Sequence, residues 1–439
     1  MKGIIAAGLL TAATSFLLAP GCKTPADLQT GTGDAAMDKS INVKEVSRIE
    51  NVLAADEMRG RKAGTPDIDK AAGFIAAEFK RTGLEPVSGN SYLQTFSLIN
   101  ARLVNTEATL DGQKADPQNV IVITTQPKVS LDEHSGYDVQ HLEKGQTLSG
   151  LRSLLYINKN TIVFVDTSFG KSFFRLKSLR SQLPGMNHTL VFVLGTEASQ
   201  YSISAEHTFT ETKYTNVVGL LPGKSKKDEY VIFSGHYDHL GVGKPVNSDS
   251  IYNGANDDAA GTTAVMLLAK YFKKHNNNER TLVFAAFTAE EVGGFGSQYF
   301  SRQFDPAKVM AMFNIEMIGT ESKWGKNSAY ITGYEKTDMG AILQKNLEGT
   351  GFTFYPDPYT SQQLFYRSDN ATLARLGVPA HTISTSKMDS EPNYHKMSDE
   401  VHTLDLQNMT MIIKAIAKSS VSIINGTDTP TRVDTKELR

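Results

Sequence analysis

The chain has 439 residues, with 45 Lys and Arg against 47 Asp and Glu for a formal charge of −2, which excludes a nucleic-acid binder held by a broad basic surface. Apolar residues make up 40% and charged residues 21%, a globular composition too apolar for a disordered chain, and at about 150 residues per domain the length suggests two or three domains. The single Cys excludes an intramolecular disulfide and a cysteine-rich zinc module, so any metal must be held by His and carboxylates.

Residues 1–22 read as an export signal: Lys2 is followed by the apolar run Gly3 to Ala19, which ends in Ala19-Pro20-Gly21-Cys22. Cys22 stands where a bacterial lipoprotein would be cleaved and lipidated, although Ala19 and Pro20 depart from the usual pattern. The expectation is an exported protein, periplasmic or at the cell surface, with a lipid tether on Cys22. No later run approaches the roughly 18 apolar residues of a membrane span. Residues 23–42 and 425–439 are polar and suggest flexible segments.

Within 43–98 the spacing predicts a helix over 66–82. Pro66 suits its first turn, Ile68, Ala72, Ile75 and Phe79 share a face, and Gly83 stops it. From 99 to 210 short β-rich runs such as Val120–Ile123, Thr161–Val165 and 189–193 alternate with turn-rich linkers, which suggests an inserted β-rich domain. From 211 to 424 apolar strands alternate with amphipathic helices. Val231-Ile232-Phe233 leads to His236, 282–287 leads to Glu290-Glu291, and Val309–Ile315 leads to Glu316. This alternation indicates an α/β sheet with helices on both faces.

Ligands in such sheets bind beyond the carboxyl ends of the strands. Those ends carry His236 and Asp238, then Glu290 and Glu291, then Glu316. The acidic loop 253–261 with Asp257 and Asp258 opens a helix, and Tyr394-His395 follows a later apolar segment. Glu316, flanked by Ile315, Met317 and Ile318, would be partly buried and so in need of a partner, for which a cation is suited. Imidazole and carboxylate at successive strand ends are what a two-metal site requires.

These residues resemble the co-catalytic zinc aminopeptidases, a family whose relatives include glutamate carboxypeptidase II and glutaminyl cyclase. The matching motifs are His236-Tyr237-Asp238, 254–261, Ala289-Glu290-Glu291-Val292-Gly293, 314–319, Ser368-Asp369-Asn370 and Tyr394-His395-Lys396, with 56–61 and Gly64-Thr65 resembling the N-terminal segment. The resemblance implies a three-layer αβα sandwich with a mixed, mainly parallel central sheet. The segment 99–210 is compared with the protease-associated domain that some relatives insert here, although it carries no sharp motif for it.

The resemblance further implies two Zn2+ per chain, with Co2+ or Mn2+ as substitutes. His236 and Glu316 would hold one ion, Glu291 and His395 the other, and Asp257 would bridge them. Asp238, two residues from His236 on an extended chain, would accept the other imidazole N–H. Glu290 would be the general base toward a metal-bridged water, and Tyr394 would stabilise the oxyanion. A cis peptide after Asp257 is expected. The family usually has Asp where this chain has Glu316. Asp258, His239 and Asp369 are left as supports and not as ligands. The implied function is an aminopeptidase acting on peptides. The alternatives are a single-zinc glutaminyl-peptide cyclase, for which Asp257, Glu291 and His395 would suffice, and a carboxypeptidase-type relative.

Overall fold

The computed structural model describes residues 32–438, except 147, 149–150, 152–153, 155–158 and 183–186. The expected export signal over residues 1–22, with Cys22, therefore lies outside the described residues. The described residues from Ser40 onward form one compact unit, and those before it belong to another. Helix α1 (Thr32–Ser40) occupies part of the stretch expected to be a flexible linker, and the run Ala35-Ala36-Met37 there is made of good helix formers. Among the described residues no helix is long and apolar enough to cross a membrane.

Helix α2 (Val43–Leu53) is capped by Asn42, whose side chain accepts from Glu45 N. Helix α3 (Pro66–Thr82) matches the predicted bounds and ends at Gly83 with φ of 81°, the left-handed stop that glycine supplies without steric cost. Its expected face, Ile68, Ala72, Ile75 and Phe79, is buried.

Two long strands, β1 (Leu93–Leu110) and β6 (Tyr201–Leu221), run antiparallel from Leu93 opposite Val217 to Leu110 opposite Tyr201. Between them in sequence lie β2 (Val120–Ile123), β3 (Asp138–Leu142), β4 (Thr161–Val165) and β5 (Leu190–Leu194), ordered β2-β5-β4-β3 in a separate sheet. Apolar residues cover both faces of this small sheet. Val122, Phe164 and Val191 pack toward Ala108 and Ile203 of the ribbon, while Ile121, Val163 and Phe192 pack toward Leu142, Phe173 and Leu176. Burial on both faces makes these strands read as unbroken apolar runs. The expected insertion bounds at 99 and 210 fall inside β1 and β6, because an alternating ribbon has no sequence break where it leaves one sheet for another.

The central sheet continues with β7 (Lys226–His236), β8 (Arg280–Phe287), β9 (Val309–Ile315), β10 (Ser328–Ile331), β11 (Thr353–Pro356) and β12 (Ala380–Ser384). Its order is β11-β10-β12-β9-β7-β8-β6-β1. The run β12-β9-β7-β8 is parallel, and antiparallel pairs flank it at β10 and β6. This is the mixed α/β architecture expected. One face stacks Phe233 against Phe284 and Phe313 at 5.6 and 4.9 Å between ring centroids, with Phe272 at 5.4 Å. Phe272 belongs to α4 (Ala260–His275), which packs there with α2, α3 and α5 (Leu406–Ser419). Ile232, Val283 and Met312 alternate to the other face and pack on Phe300, Leu373 and Ala374.

The segment 425–438, expected to be a flexible tail, is a packed strap. Arg280, almost wholly buried, donates to Asp428 O at 2.8 Å and to Thr429 Oγ1 at 2.5 Å. Arg432 donates to Val309 O at 2.7 Å, and Val433 is buried. Polar composition concealed this, because the strap is held by two arginines that lie elsewhere or late in the sequence.

Candidate metal centre

The four parallel strands end on one edge of the sheet, and the expected site residues lie at those ends. His236 is the last residue of β7. After β8, Ala289 turns the chain with φ of 58° and brings Glu290 and Glu291 to the cavity. Glu316 follows β9, and the loop after β12 supplies Tyr394 and His395, the latter with φ of 56°. Glu290, Glu291, Glu316, Tyr394 and His395 line one open cavity, together with Asp257, Arg367, Ser368 and Met388.

Asp257 is the centre of the arrangement. Its Oδ1 is 3.2 Å from His236 Nε2 and its Oδ2 is 3.2 Å from His395 Nε2. His395 Nε2 is also 3.2 Å from Glu291 Oε2. The ligand atoms of His236, Asp257 and Glu316 lie within 4.8 Å of one another. Although buried, His236 Nε2 and Asp257 Oδ2 take part in no hydrogen bond. Two atoms bound to one zinc at about 2.0–2.1 Å and tetrahedral angles stand roughly 3.3 Å apart. The separations around Asp257 are thus those of ligands to common ions, and the hard and borderline donors suit zinc. His236, Glu316 and Asp257 Oδ1 could hold one ion, and His395, Glu291 and Asp257 Oδ2 the other.

The electrostatics agree with that fit. Burial pushes the Glu316 carboxyl up to about 7, helped by the charge on Asp257 and opposed by His236. Burial likewise holds the Glu290 carboxyl well above its ordinary range; His236 opposes this, and the charges of Glu316 and Asp369 add to it. Contacts with the Asp257 and Glu291 carboxylates raise His395 to about 10. Carboxyls that resist ionising beside imidazoles that cling to protons mark a cluster short of positive charge.

Surrounding groups fix these side chains. The peptide bond between Asp257 and Asp258 is cis, as expected. Asp258 accepts from His236 N, Gly261 N and Met317 N at 3.1, 2.9 and 3.1 Å, tying β7, α4 and the end of β9 to one carboxylate. Gly261 permits this approach, since a Cβ there would stand 2.0 Å from Ile315 O and 2.4 Å from Asp258 Oδ2. Asp399 accepts from Asn256 N and Asp257 N at 2.8 and 3.0 Å. Ser368 donates to Glu316 Oε2 and accepts from Asn314 Nδ2 at 2.7 Å.

Asp238 differs from its expected part. His236 Nδ1 meets the Asp238 backbone carbonyl at 3.1 Å, while the carboxylate stands 3.8 Å from that nitrogen. The carboxylate instead accepts from Glu290 N at 3.1 Å and Glu291 N at 3.4 Å. It therefore sets the turn that carries both glutamates. Tyr394 stacks on His395 with ring centroids 4.0 Å apart. Burial and the charges of Asp257, Glu316 and Glu291 raise its phenol, so it remains an O–H donor.

Asp399, Asn314 and Ser368 have no assigned part in the sequence reading. Asp399 is four residues beyond His395, and Ser368 heads a quoted motif, but neither position shows what it touches. Arg61 is fully buried and donates to Tyr237 O, Leu53 O, Asn253 O and Gly254 O at 2.5–2.8 Å, so it clamps the two loops that carry His236 and Asp257.

A family model described as Peptidase family M28 matches residues 216–420. A probable zinc metalloprotease of Pyrenophora teres f. teres is 26% identical over 251 residues, 53% of this chain and 54% of that protein. One from Pyricularia oryzae is 35% identical over 112 residues, 25% of this chain and 22% of that protein. The chain spans about half the length, or less, of these curated relatives. Among solved structures, an aminopeptidase from Aneurinibacillus sp. strain AM-1 has a TM-score of 0.53 at 16% identity, over 92% of this chain and 98% of that one. A zinc aminopeptidase from Bacillus subtilis has a TM-score of 0.55 at 15% identity, over 89% of this chain and 97% of that one. At such identities the solved structures establish the shared fold, and the region that matches the model of peptidase family M28, residues 216–420, contains the whole cluster around Asp257.

Proposed function

We propose that this protein is an exported zinc-dependent aminopeptidase that removes N-terminal residues from peptides, with two ions held by His236, Asp257, Glu291, Glu316 and His395. What carries the reading is the set of 3.2 Å separations in which His236 meets one oxygen of Asp257 and His395 meets the other. The names of the solved neighbours, both aminopeptidases, support the choice of reaction. Lys2, the run Gly3 to Ala19 and Cys22 support export with a lipid tether.

Zinc in such a site lowers the pKa of water and polarises a carbonyl. Glu290 lines the cavity beside the ligand positions, and its carboxyl takes a proton from the attacking water and passes it to the departing amine. The Tyr394 O–H donates to the oxygen that becomes negative as the carbonyl turns tetrahedral. Asp238 holds the backbone of Glu290 and Glu291 through their N–H groups and so keeps base and ligand in step. A peptide-library digest with metal analysis on the same sample tests the reading. Trimming from the amino end by protein carrying about two zincs is expected. Trimming from the carboxyl end, or one ion with cyclisation of N-terminal glutamine, would replace it.

A further inference from the structure

We propose that His239 is a positioning residue for Glu291: it holds one carboxylate oxygen by a hydrogen bond and so turns the other toward the ion shared with His395 and Asp257. The inference rests on the metal reading above and assigns a residue that the reading does not use. His239, Asp257 and Glu291 also have ligand atoms within 4.8 Å of one another, so the choice between ligand and positioning residue has to come from the geometry.

His239 Nδ1 is 2.8 Å from Glu291 Oε1 and 3.9 Å from Asp257 Oδ2. The first is a hydrogen-bond length, and it is shorter than the roughly 3.3 Å expected of two tetrahedral zinc ligands. His395 Nε2 stands 3.2 Å from both Glu291 Oε2 and Asp257 Oδ2, at ligand separation from each. The two oxygens of Glu291 are thereby divided, Oε1 to His239 and Oε2 to the side of His395.

The ring of His239 is itself held. Its side chain is fully buried, and its backbone N donates to Arg61 O at 3.2 Å. One face lies on Gly254, where φ is 58° and a Cβ would come within 2.6 Å of His239 Cγ and Cδ2. A ring so packed cannot swing toward Asp257 to become a ligand without moving the loop that carries Asp257. Orientation of a ligating carboxylate by a buried donor is what such outer contacts supply, and their loss typically weakens metal binding about 10–100-fold.

The test is a Zn2+ titration of metal-free protein in competition with a chromophoric chelator, on wild type and the variants His239→Ala, His239→Asn, His239→Gln and His395→Ala, with the melting temperature of each metal-free protein recorded alongside. Wild type is expected to take two equivalents. His239→Ala should keep one at wild-type affinity and bind the other about 10–100-fold more weakly. His239→Asn, whose amide N–H can stand where Nδ1–H does, should recover most of that loss, and His239→Gln should not. If His239→Ala and His239→Asn both lose a whole equivalent as His395→Ala does, His239 is a ligand and the proposal is overturned. Unchanged affinity in His239→Ala overturns it as well. A wild type that takes up no zinc refutes the metal reading itself, whatever the variants do.

Discussion

Glu290 and Glu291, proposed above as base and ligand, are neighbours in sequence whose side chains stand in different surroundings. Glu291 meets His239 and His395, whereas burial and nearby carboxylates raise the proton affinity of the Glu290 carboxylate, as suits a group that takes up a proton and passes it on. Glu290→Gln is therefore expected to lower kcat by about 10²–10⁴ with the zinc content of the purified protein unchanged, read by steady-state kinetics and metal analysis on one preparation. Glu316, proposed above as a ligand, is longer than the Asp that the family resemblance leads one to expect, and the structure gives it Ser368, with Asn314 and Ser234 behind it. Ser368→Ala should weaken one zinc by about tenfold or more in a chelator competition while leaving the other in place. The donor residues and their order were legible because His236, Glu290-Glu291 and Glu316 each follow closely on an apolar run, with Asp257 in an acidic loop between the first two. The hydroxyl of Ser368 was not, since it reaches a residue 52 positions away, and only folding brings them together.

At the scale of elements, the site depends on how closely α4 approaches the ends of β7 and β9. Asp258 joins all three, and Gly261 leaves the space for it. Gly261→Ala would place a methyl 2.0 Å from Ile315 O, so the helix must shift. A loss of about 2–4 kcal/mol in denaturant unfolding is expected, with both zinc affinities reduced because the displaced turn carries Asp257. Equal stability and unchanged metal binding would show that the approach is not needed. The strands and α3 could be read from periodicity and from Pro66 and Gly83. The bounds of the inserted lobe could not, since β1 and β6 keep one alternating pattern through both sheets, and the polar strap 425–438 gave no sign of the arginines that hold it.

Across the whole molecule, α2 meets α4 through a buried carboxyl. Burial raises Glu50 to about 8; Thr263 and the Arg61 charge oppose this in part, and Asp399 adds to it. Its value in the unfolded chain is 4.5. From there to about 8 the folded protein keeps a proton that the unfolded chain has released, so this group's contribution to stability is complete below the lower value and declines as pH rises through the upper one. Each tenfold gain in proton affinity is worth roughly 1.4 kcal/mol, so the contribution is of order 5 kcal/mol. Glu50→Gln should accordingly be more stable than wild type at pH near 9 by several kcal/mol, and the difference should vanish in acid. Urea unfolding of both proteins across the pH range reads this directly, and a gap that does not change with pH would show that Glu50 is ionised in the fold.

The sequence by itself determined the α/β alternation, the helix bounded by Pro66 and Gly83, the positions of the histidines and carboxylates, and the absence of any cysteine chemistry within the fold. These are local properties, set by side-chain period, by turn residues and by the donor atoms a residue carries. Only the tertiary structure decided which oxygen of Asp257 faces which histidine, that Asp238 acts on the Glu290 and Glu291 backbone, that His239 and not solvent takes one oxygen of Glu291, and that Arg61 clamps the loops of His236 and Asp257. Each of those depends on distances of a few ångströms between residues far apart in the chain, and close packing of strands and helices is what fixes such distances.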